Sequence, residues 1–142
     1  MVHALKELWR VLVPGGFLID LCPFTARPPL DIIAGDAVLA AGSLDDTEGF
    51  PDDLAANDAI KRVTADGWFA RERSDSFDLY TYWDTMAEFQ VYMDKRMTAT
   101  LPPETHSRAE RLLAQHGPGA RLRTHLHMII ARYRKTPAGQ GV

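Results

Sequence analysis

The 142-residue sequence is short of cysteine, of long apolar runs and of glycine-rich loops, and each shortage excludes something. A single cysteine, Cys22, rules out an internal disulfide and any zinc site built on several thiolates. No apolar run approaches the roughly 20 residues that span a bilayer, and the first residues lack a signal-peptide pattern. The expected location is the cytoplasm, without a membrane partner. A cofactor-binding α/β unit needs a glycine turn between a strand and a following helix, where backbone N–H groups can approach the ligand. Gly117-Pro118-Gly119 follows a predicted helix and precedes a predicted strand, which is the wrong order.

What remains reads as one globular domain, with 46% apolar and 25% charged residues. The net charge of -3 conceals an asymmetry, because residues 1–66 carry net -6 and residues 67–142 net +3. Halves of opposite sign favour mutual docking, and nucleic acid is not an expected partner.

Apolar spacing predicts a helix over 2–12, through Ala4, Leu5, Leu8, Trp9, Val11 and Leu12. Pro14 ends it, and Gly15-Gly16 allow a tight turn. Phe17, Leu18, Ile19, Leu21 and Phe24 then read as a strand buried on both faces, as in a parallel sheet under helices. Gly35-Asp36 predicts a type II′ hairpin near 31–42. A second helix is expected from Asp52, as its cap, to Gly67, with Ala56, Ala59, Ile60 and Val63 inward. Residues 76–84 alternate as a strand, with Phe77, Leu79, Thr81 and Trp83 on one face and Asp78, Tyr80 and Tyr82 on the other. Thr85 and Glu88 have capping-box spacing before a third helix lined by Met86, Phe89, Met93 and Met97. A fourth helix after Pro102-Pro103 turns Ala109, Leu112 and Leu113 inward and stops at Gly117. A long strand covers 121–135, and residues 136–142 form an expected disordered tail.

Asp20 and Cys22 fall at the carboxyl end of the first strand, the edge where open α/β sheets bind ligands. They are substrate-pocket candidates, and the bland alternatives are a local turn cap and a small packed side chain. Tyr80 and Tyr82 are also pocket candidates, against the alternative of packing aromatics. His125 and His127 share a strand face, but no further ligand motif accompanies them and no metal is expected. Arg121, Arg123, Arg132, Arg134 and Lys135 read as solvated strand ends, split between two faces. No nucleophile–base pair is evident, and the catalytic residue is unknown.

"ALKELWRVLVPGGFLIDLCPF" resembles the class I S-adenosylmethionine-dependent methyltransferases, of the type 11 kind, where a helix ending R-V-L-x-P-G-G leads into the fifth strand. Arg10, Val11, Leu12, Pro14, Gly15 and Gly16 carry the match, with Val13 in place of a frequent lysine. The resemblance implies an α/β fold: the carboxyl-terminal part of a Rossmann-like seven-stranded sheet. Residues 16–22, 76–84 and 121–135 would be strands five, six and seven, with the seventh antiparallel between the other two and a hairpin inserted. Residues 1–135 would then be a partial methyltransferase domain without strands one to four or the glycine-rich loop. S-adenosylmethionine would be the cofactor of the complete enzyme and a small molecule the methyl acceptor, but no cofactor-binding residue carries over to this chain. Expected partners are the missing amino-terminal half, or a second copy joined through the open edge of the first strand, and the isolated chain should be marginally stable. The alternative is a free-standing, non-enzymatic α+β binding or dimerisation module.

Overall fold

The computed structural model describes residues 1–96 and 98–137. The elements are α1 (Val2–Val11), β1 (Phe17–Pro23), β2 (Pro29–Ala34), β3 (Ala37–Ser43), α2 (Phe50–Ala65), β4 (Phe69–Trp83), α3 (Met86–Arg96), α4 (Pro103–His116) and β5 (Arg121–Lys135). Met97, expected on the third helix, and residues 138–142 of the expected tail lie outside the described residues. The fold is α/β, with one five-stranded sheet in the order β1-β5-β2-β3 and β4 also bonded to β5. Contacts gather the chain into two compact units.

The first unit comprises Met1–Phe24, Pro51–Phe77 and the chain from Met128 onward. Here β1 pairs antiparallel with β5, from Phe17 opposite Arg134 to Pro23 opposite Met128. Val2, Leu5 and Trp9 recur at helical spacing on α1 and, with Leu12 just after it, pack on Ile60 and Val63 of α2, Phe69 of β4, and Ala131 and Tyr133 of β5. The Trp9 indole meets Trp68 edge-on at 5.0 Å and donates to the Thr136 carbonyl at 3.2 Å. The Lys135 ammonium donates to the Leu12 carbonyl at 2.6 Å, which satisfies an open group at the end of α1. At the turn, Gly15 has φ +73°, and a Cβ on Gly16 would lie 2.9 Å from the Val13 carbonyl oxygen. Glycine is required at both positions.

The expected burial of the first strand on both faces is corrected here, while its antiparallel pairing with the last strand is as the resemblance implies. β1 is antiparallel to its neighbour, and only Leu18 and Cys22 among its apolar residues turn toward the helices. Phe17, Ile19 and Leu21 remain 50%, 48% and 52% exposed. A continuous apolar run does not distinguish a strand covered twice from one whose second face is open.

The second unit comprises Thr25–Phe50 and Asp78–His127. β2 and β3 form the expected hairpin, with Gly35 at φ +59° and a non-glycine φ at Asp36 that is not positive, as a type II′ turn requires. β2 also pairs antiparallel with β5, from Leu30 opposite Thr124 to Ile33 opposite Arg121. Leu30, Ile32, Leu44, Trp83, Phe89, Ala109 and Leu122 form the centre of its core. Trp83 meets Phe89 edge-on at 4.9 Å. Thr85 Oγ1 accepts the Glu88 N–H at 3.1 Å, the forward bond of the capping box, and Glu88 Oε2 reaches back one residue further, to the Asp84 N–H at 3.1 Å.

Two boundaries differ from expectation. β4 begins at Phe69, seven residues before the predicted start at 76, because "ARERSDS" has strand geometry without strand-like apolarity. α2 begins at Phe50, whose N–H donates to the Asp46 carbonyl at 3.0 Å, so Asp52 sits in the first turn and is not the cap. Its carboxylate there faces the positive end of the helix dipole.

Substituting Thr85→Ala removes the side-chain acceptor at the start of α3. It is expected to lower stability by about 1 kcal/mol, read as a lower urea midpoint with an unchanged slope. An unchanged midpoint contradicts the capping assignment.

Candidate functional site

In the first unit, the pleat places Asp20 and Cys22 two residues apart on the helix-covered side of β1. The Cys22 thiol donates to Asn57 Oδ1 of α2 at 3.6 Å, and Asn57 Nδ2 donates back to the Asp53 carbonyl at 3.2 Å. Burial raises the Cys22 thiol above its ordinary range; the Asp20 carboxylate adds to this and the Asn57 contact opposes it. The thiolate is the reactive form, so this cysteine is held as an unreactive thiol at neutral pH. Burial likewise raises the Asp20 carboxyl, and the Tyr133 phenol is raised first by burial and then by the Asp20 charge. The grouping can exchange hydrogen bonds with a polar ligand, but it does not make a nucleophile.

In the second unit, Tyr80 and Tyr82 share one face of β4, and both are more than two-fifths exposed. Arg123 of β5 lies 4.9 Å over the Tyr80 ring and donates to Asp31 Oδ2 of β2 at 2.7 Å. Arg121 lies 5.3 Å over Tyr82 and donates to Asp84 at 2.5 Å. His125 packs on Tyr80 at 5.4 Å, and His127 Nδ1 lies 3.1 Å from Asp78 Oδ1. These pairings run in opposite directions along β4 and β5, so the two strands are antiparallel. The Asp31–Arg123 pair is largely buried, at 10% and 17% side-chain exposure. The hydrogen bond to Asp31 is the first cause holding the Arg123 guanidinium protonated.

The arginines expected as solvated strand ends are each ion-paired; Arg121, Arg132 and Arg134 stay exposed at 48%, 41% and 41%, and the expectation is corrected for Arg123, which is 17% exposed. Arg121 meets Asp84, Arg123 meets Asp31, and Arg132 and Arg134 share Glu72. The split between faces holds, since odd positions carry the first pair of arginines and even positions the second. Arg134 also donates to the Gly15 carbonyl at 2.6 Å and so ties the turn before β1 to β5.

The structure pairs Asp20 with Cys22 in one unit and Tyr80 with Tyr82 in the other. The Asp31–Arg123 pair escaped sequence reading because it joins strands 92 positions apart. None of these residues lines the 590 Å³ cleft of the second unit, which Gln90, Asp94, Thr100, His106 and Ser107 help to form. Among the described residues no group of His, Cys, Asp or Glu converges as a metal site, and no helix is long and apolar enough to cross a membrane. No family model, curated protein or solved structure matches the chain.

Removing one member of the buried pair strands the other. Arg123→Ala is expected to destabilise the chain by about 3 kcal/mol, whereas combining Arg123→Met with Asp31→Leu costs less than the single substitution. Urea unfolding of the three proteins checks this, and a double variant weaker than Arg123→Ala contradicts it.

Glu72 gives a second prediction. The Arg134 hydrogen bond holds its carboxyl below the ordinary range. A depressed folded-state value adds stability above the unfolded value, about 4.3, and that stability is lost as pH falls below it. Melting temperature should therefore fall more steeply on acidification in the parent than in Glu72→Gln. Parallel profiles contradict the assignment.

Proposed function

We propose that this chain is the carboxyl-terminal part of a class I S-adenosylmethionine-dependent methyltransferase. The complete enzyme would move a methyl group from S-adenosylmethionine to an O, N, S or C nucleophile of a small molecule. The observation that carries the reading is the placement of β5. It is bonded to β1 on one side and to β4 as well, antiparallel, downstream of a helix that ends R-V-L-V-P-G-G. The resemblance asks for this arrangement of a fifth, seventh and sixth strand. The open apolar face of Phe17, Ile19 and Leu21 adds support, since helices of an amino-terminal half would cover such a face.

The residues present do not fit the cofactor. The glycines with positive φ lie at helix-to-strand turns (Gly15, Gly67, Gly117, Gly119), at the hairpin (Gly35) or within β3 (Gly42). The connection from β3 to α2 runs from strand to helix but offers only Gly49, where a Cβ would lie 2.4 Å from Thr98 Oγ1. No step is assigned through S-adenosylmethionine on this chain. Its own contribution would be to the acceptor: Asp20 midway along β1, Cys22 near its carboxyl end, and Tyr80 and Tyr82 on β4, as groups that hold and orient a small molecule. Orientation of nucleophile and methyl group is a large part of what such a site supplies. The catalytic residue is not assigned.

A second reading, a non-enzymatic binding or dimerisation module, draws on the long exposed stretch of β4.

Calorimetry tests the lack of fit to the cofactor, and the upstream DNA separates the readings. Calorimetry of these 142 residues with S-adenosylmethionine is expected to give no saturable heat, and micromolar binding contradicts the lack of fit. The DNA upstream of Met1 is expected to encode, in frame, a strand, an E/D-x-G-x-G-x-G turn and a helix. A stop codon and ribosome-binding site directly before Met1 would favour the module.

A further inference from the structure

β4 has an unpartnered edge whose charge order fits a second copy of itself. Residues 70–80 are all exposed, and among the described residues β5 is the only strand bonded to β4. A long edge strand exposes unpaired N–H and C=O groups and is ordinarily blunted by charge, proline or a bulge. β4 has no proline, and its charges run Arg71, Glu72, Arg73, Asp75, Asp78. Glu72 is engaged with Arg132 and Arg134 across the strand toward β5. Among ion pairs, Arg73 and Asp75 are recorded with each other, at 4.0 Å and with their side chains 80% and 67% exposed, and Asp75 also accepts the Ser76 N–H at 2.9 Å. An ion pair that exposed and that long contributes little within one chain.

We propose that two copies of this chain pair antiparallel through β4, with Ser74 opposite Ser74 on the two-fold axis. A two-fold axis normal to the sheet keeps each side chain on its own face, so only registers that pair odd with odd and even with even positions form a continuous sheet. Centring on Ser74 sets Arg73 opposite Asp75 of the second copy, twice by symmetry. Together with the contact within each chain this closes a four-charge ring.

The neighbouring registers are poorer. Centring on Glu72 opposes Glu72 to itself and Arg71 to Arg73. Centring on Arg73 opposes two guanidiniums, and centring on Asp75 opposes two carboxylates. Directly opposed like charges destabilise a strand pair and opposite charges stabilise it. The same charges that discourage other strands from this edge select one partner and one register. The interface is isologous, and a single strand pair falls short of the roughly 800 Å² per partner of a standard interface, so the dimer is weak and concentration-dependent.

The test is sedimentation equilibrium of the full chain over a range of concentrations. Arg73→Asp and Asp75→Arg should each weaken dimerisation by about tenfold or more, and the two substitutions combined should restore it. Salt near 1 M, where the screening length falls to about 3 Å, should weaken the parent dimer. As a readout of register, Ser74→Cys should form an intermolecular disulfide under mild oxidation, because residues opposite each other across the axis meet disulfide geometry. Ser76→Cys, displaced from the axis, should not. Circular dichroism verifies that each exposed-site variant is folded. A parent monomeric at every concentration, a dimer indifferent to both single reversals, a combined variant that fails to recover, or equal cross-linking at both serines each overturns the proposal.

Discussion

The backbone ladder along β5 is the constraint on which the other features depend. Within the first unit, β5 fixes β1 by seven opposed residue pairs, Phe17–Arg134 through Pro23–Met128. Within the second, it fixes β2 by four, Leu30–Thr124 through Ile33–Arg121. A register slip of one residue would turn every side chain to the other face. Ala131 and Tyr133 would leave the core beneath α1 and α2, and Leu122 would leave the core beneath α3 and α4. Each unit therefore holds its register by the apolar residues that only one alignment buries.

Charge follows that register. Asp31 opposes Arg123 directly in the β2–β5 pairing, so its carboxylate is neutralised where it is buried. Glu72 is placed to bridge Arg132 and Arg134, and Arg134 reaches on to the Gly15 carbonyl. The Pro-Gly-Gly turn is thus tied at both ends: Gly16 donates back to Val13, and an arginine of β5 holds Gly15. The turn that carries the family resemblance is a structural joint. Asp20 is the exception to the pairing pattern. Partial burial raises its carboxyl, and it in turn raises its neighbours Cys22 and Tyr133.

Local rules were legible in the sequence and long-range ones were not. The span of β5, the hairpin turn at Gly35, the capping box at Thr85 and the stop of α4 at Gly117 each follow from periodicity or the chemistry of a few adjacent residues. The start of β4 was not legible, because an exposed edge strand needs no apolar alternation and Arg71 to Ser76 are polar. The open face of β1 was missed for the converse reason: Phe17, Ile19 and Leu21 look like core whether or not anything covers them. In the candidate site, the face shared by Tyr80 and Tyr82 could be read from alternation. Their arginine and aspartate companions could not, because strand register brings them together.

The strand order β1-β5-β4 joins the fold to the proposed function, and the antiparallel placement of β5 is its testable core. The most direct measurement is a map of cross-strand Hα–Hα nuclear Overhauser contacts in the labelled chain. The account predicts strong contacts at alternate pairs along the β1–β5 register, on which Leu18–Tyr133 and Asp20–Ala131 are successive positions of one kind and Ile19–Arg132 lies between them. Their absence, or the evenly slanted pattern of a parallel pair, would contradict the arrangement and the methyltransferase reading that rests on it.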